Sequence, residues 1–198
     1  MIMRLRNILL YTALFIVLVS LPLGFLYKDY IRYYFFTLQN KEIHVHSDFL
    51  LYINDREIDL TADRYQSSAS STKHAFVHLH DGFDNVIHRH KEGITFVSSM
   101  ESLGFIVTDS CITLETKEQF CTVEDSMLRL YVNGKPVTDI EKYVTQEEDQ
   151  ILLYYGNKQS PQIQEQINTI TEDSCLYSGT CPERGEPPAE SCGLTCEI

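Results

Sequence analysis

The pattern of apolar and polar positions divides the chain into an apolar head and a body of short segments. Residues 8–27 are twenty uncharged positions rich in Leu, Ile, Val and Phe, which is enough for a helix to span a bilayer. Arg4 and Arg6 precede the run, and this charge bias favours a cytoplasmic N-terminus and an exported body. We predict a single-pass signal-anchor in the cell membrane, with the transmembrane helix and its stalk at 1–39. A cleaved signal peptide is the alternative.

The body alternates between short β-prone runs and turn residues. Asn54-Asp55 and Asn133-Gly134 are hairpin turn signals, and the Ser-rich run 66–72 predicts a flexible loop. Apolar residues at i, i+4 and i+7 predict a short helix at 95–103 and another from Pro161 onward. Strands are predicted at 49–53, 58–60, 127–132 and 151–155.

These elements predict an α+β fold: a small, β-hairpin-rich and β-grasp-like ectodomain, followed by a C-terminal helix and a disulfide-rich tail. We place a histidine-rich hairpin domain at 40–108 and a second β-rich unit, packed on the first, at 109–160. The helix and the cysteine-rich tail occupy 161–198.

Charge is distributed unevenly along the 198 residues. Residues 1–39 carry four basic and one acidic residue (+3), whereas residues 40–198 carry twelve basic and 27 acidic residues (−15). So acidic a body predicts no nucleic-acid partner, because phosphate contacts require Lys and Arg. The predicted partners are the lipid bilayer, through the N-terminal helix, a metal ion, and an unidentified membrane or extracytoplasmic protein.

Six cysteines in an exported body predict disulfide bonds. Cys111 and Cys121 bracket a segment that predicts a short hairpin, so a bridge between its strands is reasonable. Four more cysteines lie in a tail too poor in apolar residues to fold by burial alone, and sequence leaves their three pairings open. They are Cys175, Cys181, Cys192 and Cys196. A zinc knot is the alternative, although the spacings match no common zinc ribbon. The absence of C-x-x-C argues against a thioredoxin-type oxidoreductase.

The seven histidines all lie between positions 44 and 90. Six of them form three H-x-H pairs, and alternate residues of a strand point to the same face, which gives each pair a chelating geometry. The pairs are His44/His46, His78/His80 and His88/His90. The seventh, His74, is not assigned as a ligand.

Two of these pairs lie on the arms of one predicted hairpin with a turn centred on Asp84. In that register His78 lies opposite His90, and His80 lies opposite His88. All four rings then share one face, with opposed Cβ atoms about 4.5–5.5 Å apart. Ring nitrogens from both arms could converge on one ion at about 2.0–2.1 Å.

We therefore predict that the six paired histidines are metal ligands, and that the cofactor is a copper or zinc ion. Imidazole suits both metals, and copper is ranked first because Cu(II) has the higher affinity. Asp48, Asp81 and Glu92 are candidates to orient the ligand rings through hydrogen bonds. A solvated polar face, with histidines serving solubility or pH response, is the alternative.

The predicted function is a membrane-tethered extracytoplasmic metal-binding protein, with no residue assigned as catalytic. One alternative is a zinc or copper metalloenzyme of the hydrolase or hydratase type, with Glu92 or Asp81 as general base. A further alternative is a disulfide-stabilised interaction domain without metal.

Short segments of the chain resemble known families. His78-Leu79-His80-Asp81-Gly82 and Cys181-Pro182-Glu183-Arg184-Gly185-Glu186-Pro187-Pro188, together with the N-terminal span, resemble a group of membrane-anchored, extracytoplasmic proteins of environmental bacteria and archaea. That resemblance covers most of the chain and implies a tether but no agreed activity. His78-Leu79-His80 also resembles the zinc strand of alpha-type carbonic anhydrases. His44-Val45-His46 resembles a copper strand of Cu/Zn superoxide dismutases.

Overall fold

The computed structural model describes residues 11–12, 27–39, 41–68, 71, 73–80, 82 and 85–186. The chain divides into two compact units, Met1–Lys41 and Glu42–Ile198. In the first unit, helix α1 spans Lys28–Gln39. The predicted membrane span at 8–27 lies outside the described residues except for positions 11, 12 and 27. Among the described residues, no helix has the length and apolar character needed to cross a bilayer.

The second unit contains a large mixed sheet and a small antiparallel sheet. The strands are β1 Glu42–Ile53, β2 Arg56–Glu57, β3 Gln66–Ser67, β4 Val77–His80, β5 Val86–Lys91, β6 Ile106–Val107, β7 Cys111–Thr113, β8 Gln119–Cys121, β9 Ser126–Val132, β10 Lys135–Pro136 and β11 Gln150–Asn157. The larger sheet has the order β10-β9-β11-β1-β5-β4-β3, with β2 paired to β1, and the smaller has the order β6-β7-β8. Strand β1 runs parallel to β11 and antiparallel to β5. The larger sheet thus takes strands from both 40–108 and 109–160.

Helices lie on both faces of the larger sheet. They are α2 Phe96–Ser102, α3 Gln162–Asn168 and α4 Ser174–Ser178. On one face, the ring of Phe96 in α2 lies 5.7 Å from the ring of Phe49 in β1. On the other, α3 packs Ile163 and Ile167 against a buried cluster, here called the apolar patch. The apolar patch consists of Leu50, Leu152, Tyr154 and Ile170.

The predicted α+β class is confirmed, and so are both hairpin turns. Asn54 and Asp55 have φ of 52° and 61°, and Asn133 and Gly134 have φ of 51° and 74°. Positive φ at both central residues is the type I′ geometry, whose twist matches that of the flanking strands.

The cysteine prediction is confirmed for the hairpin and extended in the tail. Cys111 and Cys121 lie directly opposite each other on β7 and β8 and are bonded. In the tail, Cys175 is bonded to Cys181. Cys192 and Cys196 lie outside the described residues.

Two local predictions are wrong. Gln66 and Ser67 form a strand parallel to β4 instead of a loop. Gln66 is buried, and its amide donates to Leu60 O at 2.8 Å and accepts from Gly82 N at 3.1 Å, so side-chain hydrogen bonds hold this two-residue strand in place. The strand returning from β1 is Arg56–Glu57 instead of 58–60, because the two-residue turn closes directly onto it.

Candidate metal centre

Three adjacent strands of the larger sheet each carry one H-x-H pair. In the register of the sheet, His88 of β5 lies opposite His46 of β1 on one side and opposite His78 of β4 on the other. Because alternate residues share a face, this register places all three pairs on the same face of the sheet. We call these six side chains the histidine face: His44, His46, His78, His80, His88 and His90.

The predicted hairpin register is wrong by two residues, although the prediction of a common face holds. His78 lies opposite His88 instead of His90. The cause is Asn85, which was expected in the turn. Its carbonyl instead accepts a hydrogen bond from Phe49 N at 2.7 Å and so extends the ladder between β1 and β5. A shift of two residues preserves the face, whereas a shift of one would have reversed it.

The six rings form a closed circuit of near neighbours. Along the circuit the ring centres are separated by 4.4 Å (His44–His46), 4.8 Å (His46–His88), 3.9 Å (His88–His80), 5.5 Å (His80–His78), 5.0 Å (His78–His90) and 4.6 Å (His90–His44). Neighbouring rings are therefore close enough to bind a common ion. The residues of all three predicted pairs come together on this face.

Most of the histidine face is removed from water. Five of its six residues are at most 4% exposed, and His44 is the exposed member. Burying polar rings costs free energy unless their nitrogens gain partners. Coordination to a metal ion, through the neutral imidazole, would give these nitrogens such a partner.

One group on this face already has donor atoms close together. A nitrogen from each of His44, His46 and His88 lies within 4.8 Å of the others. Two nitrogens bound to a tetrahedral ion at about 2.0–2.1 Å are about 3.4 Å apart. Small side-chain rotations would close the remaining gap, and the exposed ring of His44 leaves access from solvent.

The ring of His46 is oriented by groups outside the histidine face. Its Nδ1 lies 3.2 Å from Ser178 Oγ and 3.5 Å from Glu147 Oε1. The Ser178 hydroxyl donates to Glu147, so its oxygen can accept the Nδ1 proton of His46. In that tautomer the lone pair belongs to Nε2, which is the usual way in which a hydrogen bond orients a metal-binding histidine.

The carboxyl group of Glu147 is kept in its charged form, which can only accept hydrogen bonds. Burial alone would raise the pKa of its carboxyl group, but hydrogen bonds from His46 and Ser178 outweigh burial and keep the pKa below its usual value. A charged acceptor stabilises the Nδ1–H tautomer of His46 more than a neutral one would.

His78 is oriented in the same way by the chain itself. Its Nδ1 lies 3.2 Å from the carbonyl oxygen of His74, and a carbonyl can only accept, so Nδ1 carries the proton and Nε2 the lone pair. The ring of His74 has a different role, since its Nδ1 accepts the N–H of Phe76 at 3.1 Å. Burial lowers the pKa of His74, which favours the neutral acceptor.

Helix α4 lies over the histidine face. The ring of Tyr177 is 4.7 Å from that of His88 and 5.5 Å from that of His46. Tyr177, Ser178 and Glu147 were not found from the sequence, because they are more than fifty positions from the nearest histidine. The one available signal was that Tyr177 and Ser178 lie between two cysteines, which bond to each other and close this segment.

Asp48 holds α4 in place. It accepts hydrogen bonds from Thr171 Oγ1 at 2.6 Å, from Asp173 N at 2.8 Å, and from both the N–H and the hydroxyl of Ser174. Burial raises the pKa of Asp48, and these bonds only partly oppose it. Of the other carboxylates predicted to orient ligands, Glu92 is exposed in the turn after β5, and Asp81 lies outside the described residues.

An acidic cleft of about 380 Å³ runs beside α4. Its lining includes the carboxylates of Asp48, Glu148 and Glu172 and the bridge between Cys175 and Cys181. These carboxylates add negative potential next to the histidine face.

Comparisons with protein-family models, with curated proteins and with solved structures give no match for this chain.

Proposed function

We propose that this chain is a membrane-tethered extracytoplasmic protein that binds copper or zinc through the histidine face. The observation that carries the proposal is the closed circuit of six imidazoles on three adjacent strands, five of them buried. A strand selected for stability alone would place β-branched or aromatic residues at these positions. Metal coordination explains why polar rings occupy them instead.

The choice of metal follows from the ligand type. Neutral imidazole suits copper and zinc, and the histidine face supplies no thiolate or carboxylate that would favour iron–sulfur clusters, calcium or magnesium. Copper is ranked first because Cu(II) binds nitrogen sites more tightly than Zn(II) does. The acidic cleft would raise the local concentration of either cation.

The proposed location depends on the disulfides and the sequence of the head. Two disulfide bonds are typical of an oxidising compartment. The uncharged run at 8–27 and the basic residues before it are the basis for the tether and for a cytoplasmic N-terminus. The strand order β5-β1-β11-β9, with a parallel central pair, supports the β-grasp-like assignment.

Metal analysis of the full chain tests the proposal. The protein is purified in detergent without a histidine tag, loaded with Cu(II) or Zn(II), desalted, and assayed for metal per chain by mass spectrometry. We expect stoichiometric bound metal, and less metal per chain when His46→Gln and His88→Gln are combined. His74→Gln is the matched control, because that ring is held by its own loop, and it should retain the metal. A wild-type chain without bound metal would favour the interaction-domain alternative.

An enzymatic role is the second candidate, and the group of His44, His46 and His88 favours it. Three histidine ligands with one exposed member would leave a coordination position for water or substrate, as in catalytic zinc sites. Hydrolase, hydratase and dismutase assays on the metal-loaded chain separate this role from binding alone. Activity that disappears in the His46→Gln/His88→Gln variant would support it.

A further inference from the structure

The width of the histidine face exceeds what one ion can span. Strands β1 and β4 are separated by β5, and neighbouring strands are about 4.8 Å apart, so the outer strands are roughly 9.6 Å apart. Side chains in a sheet stand nearly perpendicular to it. Two nitrogens on one ion are at most about 4.2 Å apart when each bond is about 2.0–2.1 Å. A single ion therefore cannot collect both outer pairs.

Because the outer pairs cannot share an ion, the circuit divides into two groups, each with one outer pair and one ring of β5. Imidazoles on a common ion have ring centres about 4.5–5.2 Å apart for bond angles between 90° and 109°. In one group the ring centres are close to this spacing, at 4.4 Å (His44–His46) and 4.8 Å (His46–His88). In the other group they are 5.0 Å apart (His78–His90) and, slightly beyond this range, 5.5 Å apart (His78–His80). The groups meet at His80 and His88, whose rings at 3.9 Å are closer than two ligands of one ion, and at His44 and His90, whose rings are 4.6 Å apart.

We infer that the histidine face holds two metal ions: His44, His46 and His88 bind the first, and His78, His80 and His90 bind the second. This inference rests on the proposed metal-binding function and specifies its stoichiometry. The middle strand β5 contributes one ligand to each ion, and each outer strand contributes two.

The hydrogen bonds outside the face support this division. Each proposed group contains one ring whose Nδ1 proton is held from its own side of the sheet. For His46 the acceptors are Ser178 and Glu147, and for His78 the acceptor is the carbonyl of His74. Both rings are thus set to present Nε2. A one-ion site on β1 and β5 would give no reason to orient His78 on the far strand.

The ligand set also predicts which metal fills both positions most readily. Six imidazoles are neutral and cancel no charge, and ions held on either side of β5 would be roughly 5 Å apart. Repulsion between two ions scales with the product of their charges, so it is fourfold smaller for two monovalent than for two divalent ions. Cu(I) should therefore fill both positions with similar affinity, whereas Zn(II) should bind in two separated steps.

The test counts Cu(I) ions on the full chain, purified in detergent without a histidine tag and loaded anaerobically in ascorbate. We expect two ions per wild-type chain, and one ion each when His44→Gln/His46→Gln or His78→Gln/His80→Gln removes an outer pair. His74→Gln should keep two. One ion in the wild type, or loss of both ions in a variant whose circular dichroism is unchanged, overturns the inference. No ion in the wild type overturns the proposed function as well.

A second measurement needs no variant. Wild-type chain saturated with Cu(II) should give an electron paramagnetic resonance spectrum with the half-field transition of a coupled pair. A spectrum of isolated ions at saturation would overturn the inference even if the variants failed to fold.

Discussion

Two neighbouring patches on one face of the larger sheet share a backbone and differ in their side chains. His46, Asp48 and Leu50 are alternate residues of β1 and so share one face. Leu50 belongs to the apolar patch, which is covered by α3. The histidine face is covered by α4, whose ring of Tyr177 lies against imidazoles. The histidine part of β1 pairs with β5 as far as Asp48, and its apolar part pairs with β11 from Asp48 onward. The apolar patch therefore stabilises the fold, whereas the histidine face places polar rings where apolar side chains would be more stable.

The largest expected effect comes from the apolar patch. Leu152 is fully buried, so Leu152→Ala should lower the free energy of unfolding by about 2–5 kcal/mol through lost burial and a cavity. Chemical denaturation of the metal-free chain measures it. Ile106→Ala removes a half-exposed aliphatic side chain and is the matched control, with an expected change below about 0.5 kcal/mol. Loss of metal binding in a folded Leu152→Ala chain would show that the two patches do not act separately.

The second-largest effect on stability is expected at Asp48, which lies on β1 between the histidine face and the apolar patch. Asp48→Ala leaves the N-terminal amides of α4 without their acceptor and should lower the free energy of unfolding by about 2–3 kcal/mol. The same variant should weaken metal binding, because α4 carries Ser178. Asp125→Ala, at an exposed position, is the control. Unchanged stability in Asp48→Ala would contradict the role assigned to this carboxylate.

A smaller effect is expected from the group that orients His46. Glu147→Gln keeps the shape but removes the charge, so metal affinity should fall by about 10–100-fold with little change in unfolding. Competition with a chromophoric chelator measures the affinity. Glu148→Gln is the matched control, since the neighbouring carboxylate bonds to Thr180 and to none of the six rings. Equal effects of the two substitutions on metal affinity would show that Glu147 does not orient His46.

The smallest effect on stability is expected inside the histidine face. His78→Val combined with His80→Val replaces polar rings by β-branched side chains that suit a buried strand. The metal-free variant should therefore unfold within about 1 kcal/mol of the wild type or be more stable, while the stabilisation by added metal should shrink. A large loss of stability in the metal-free variant would show that the imidazoles are structural.

The sequence predicted what depends on local chemistry. Residue types at the turns determined the two type I′ hairpins, and alternation alone placed each H-x-H pair on one face. The register of β4 on β5 could not be predicted, because it depends on Asn85, which pairs with Phe49 of another strand and bonds through its side chain to Thr171 and Asp173. Tyr177 and Glu147 were missed for the same reason: tertiary packing brings them to the histidines.

X-ray absorption spectroscopy of the copper- or zinc-loaded full chain tests the central claim most directly. We expect a first shell of nitrogen at about 2.0 Å with the outer-shell scattering of several imidazole rings, and loss of that scattering when His46, His78, His80 and His88 are all replaced by Gln. A first shell of sulfur, or of oxygen without imidazole scattering, would contradict the assignment of the histidine face as the metal centre.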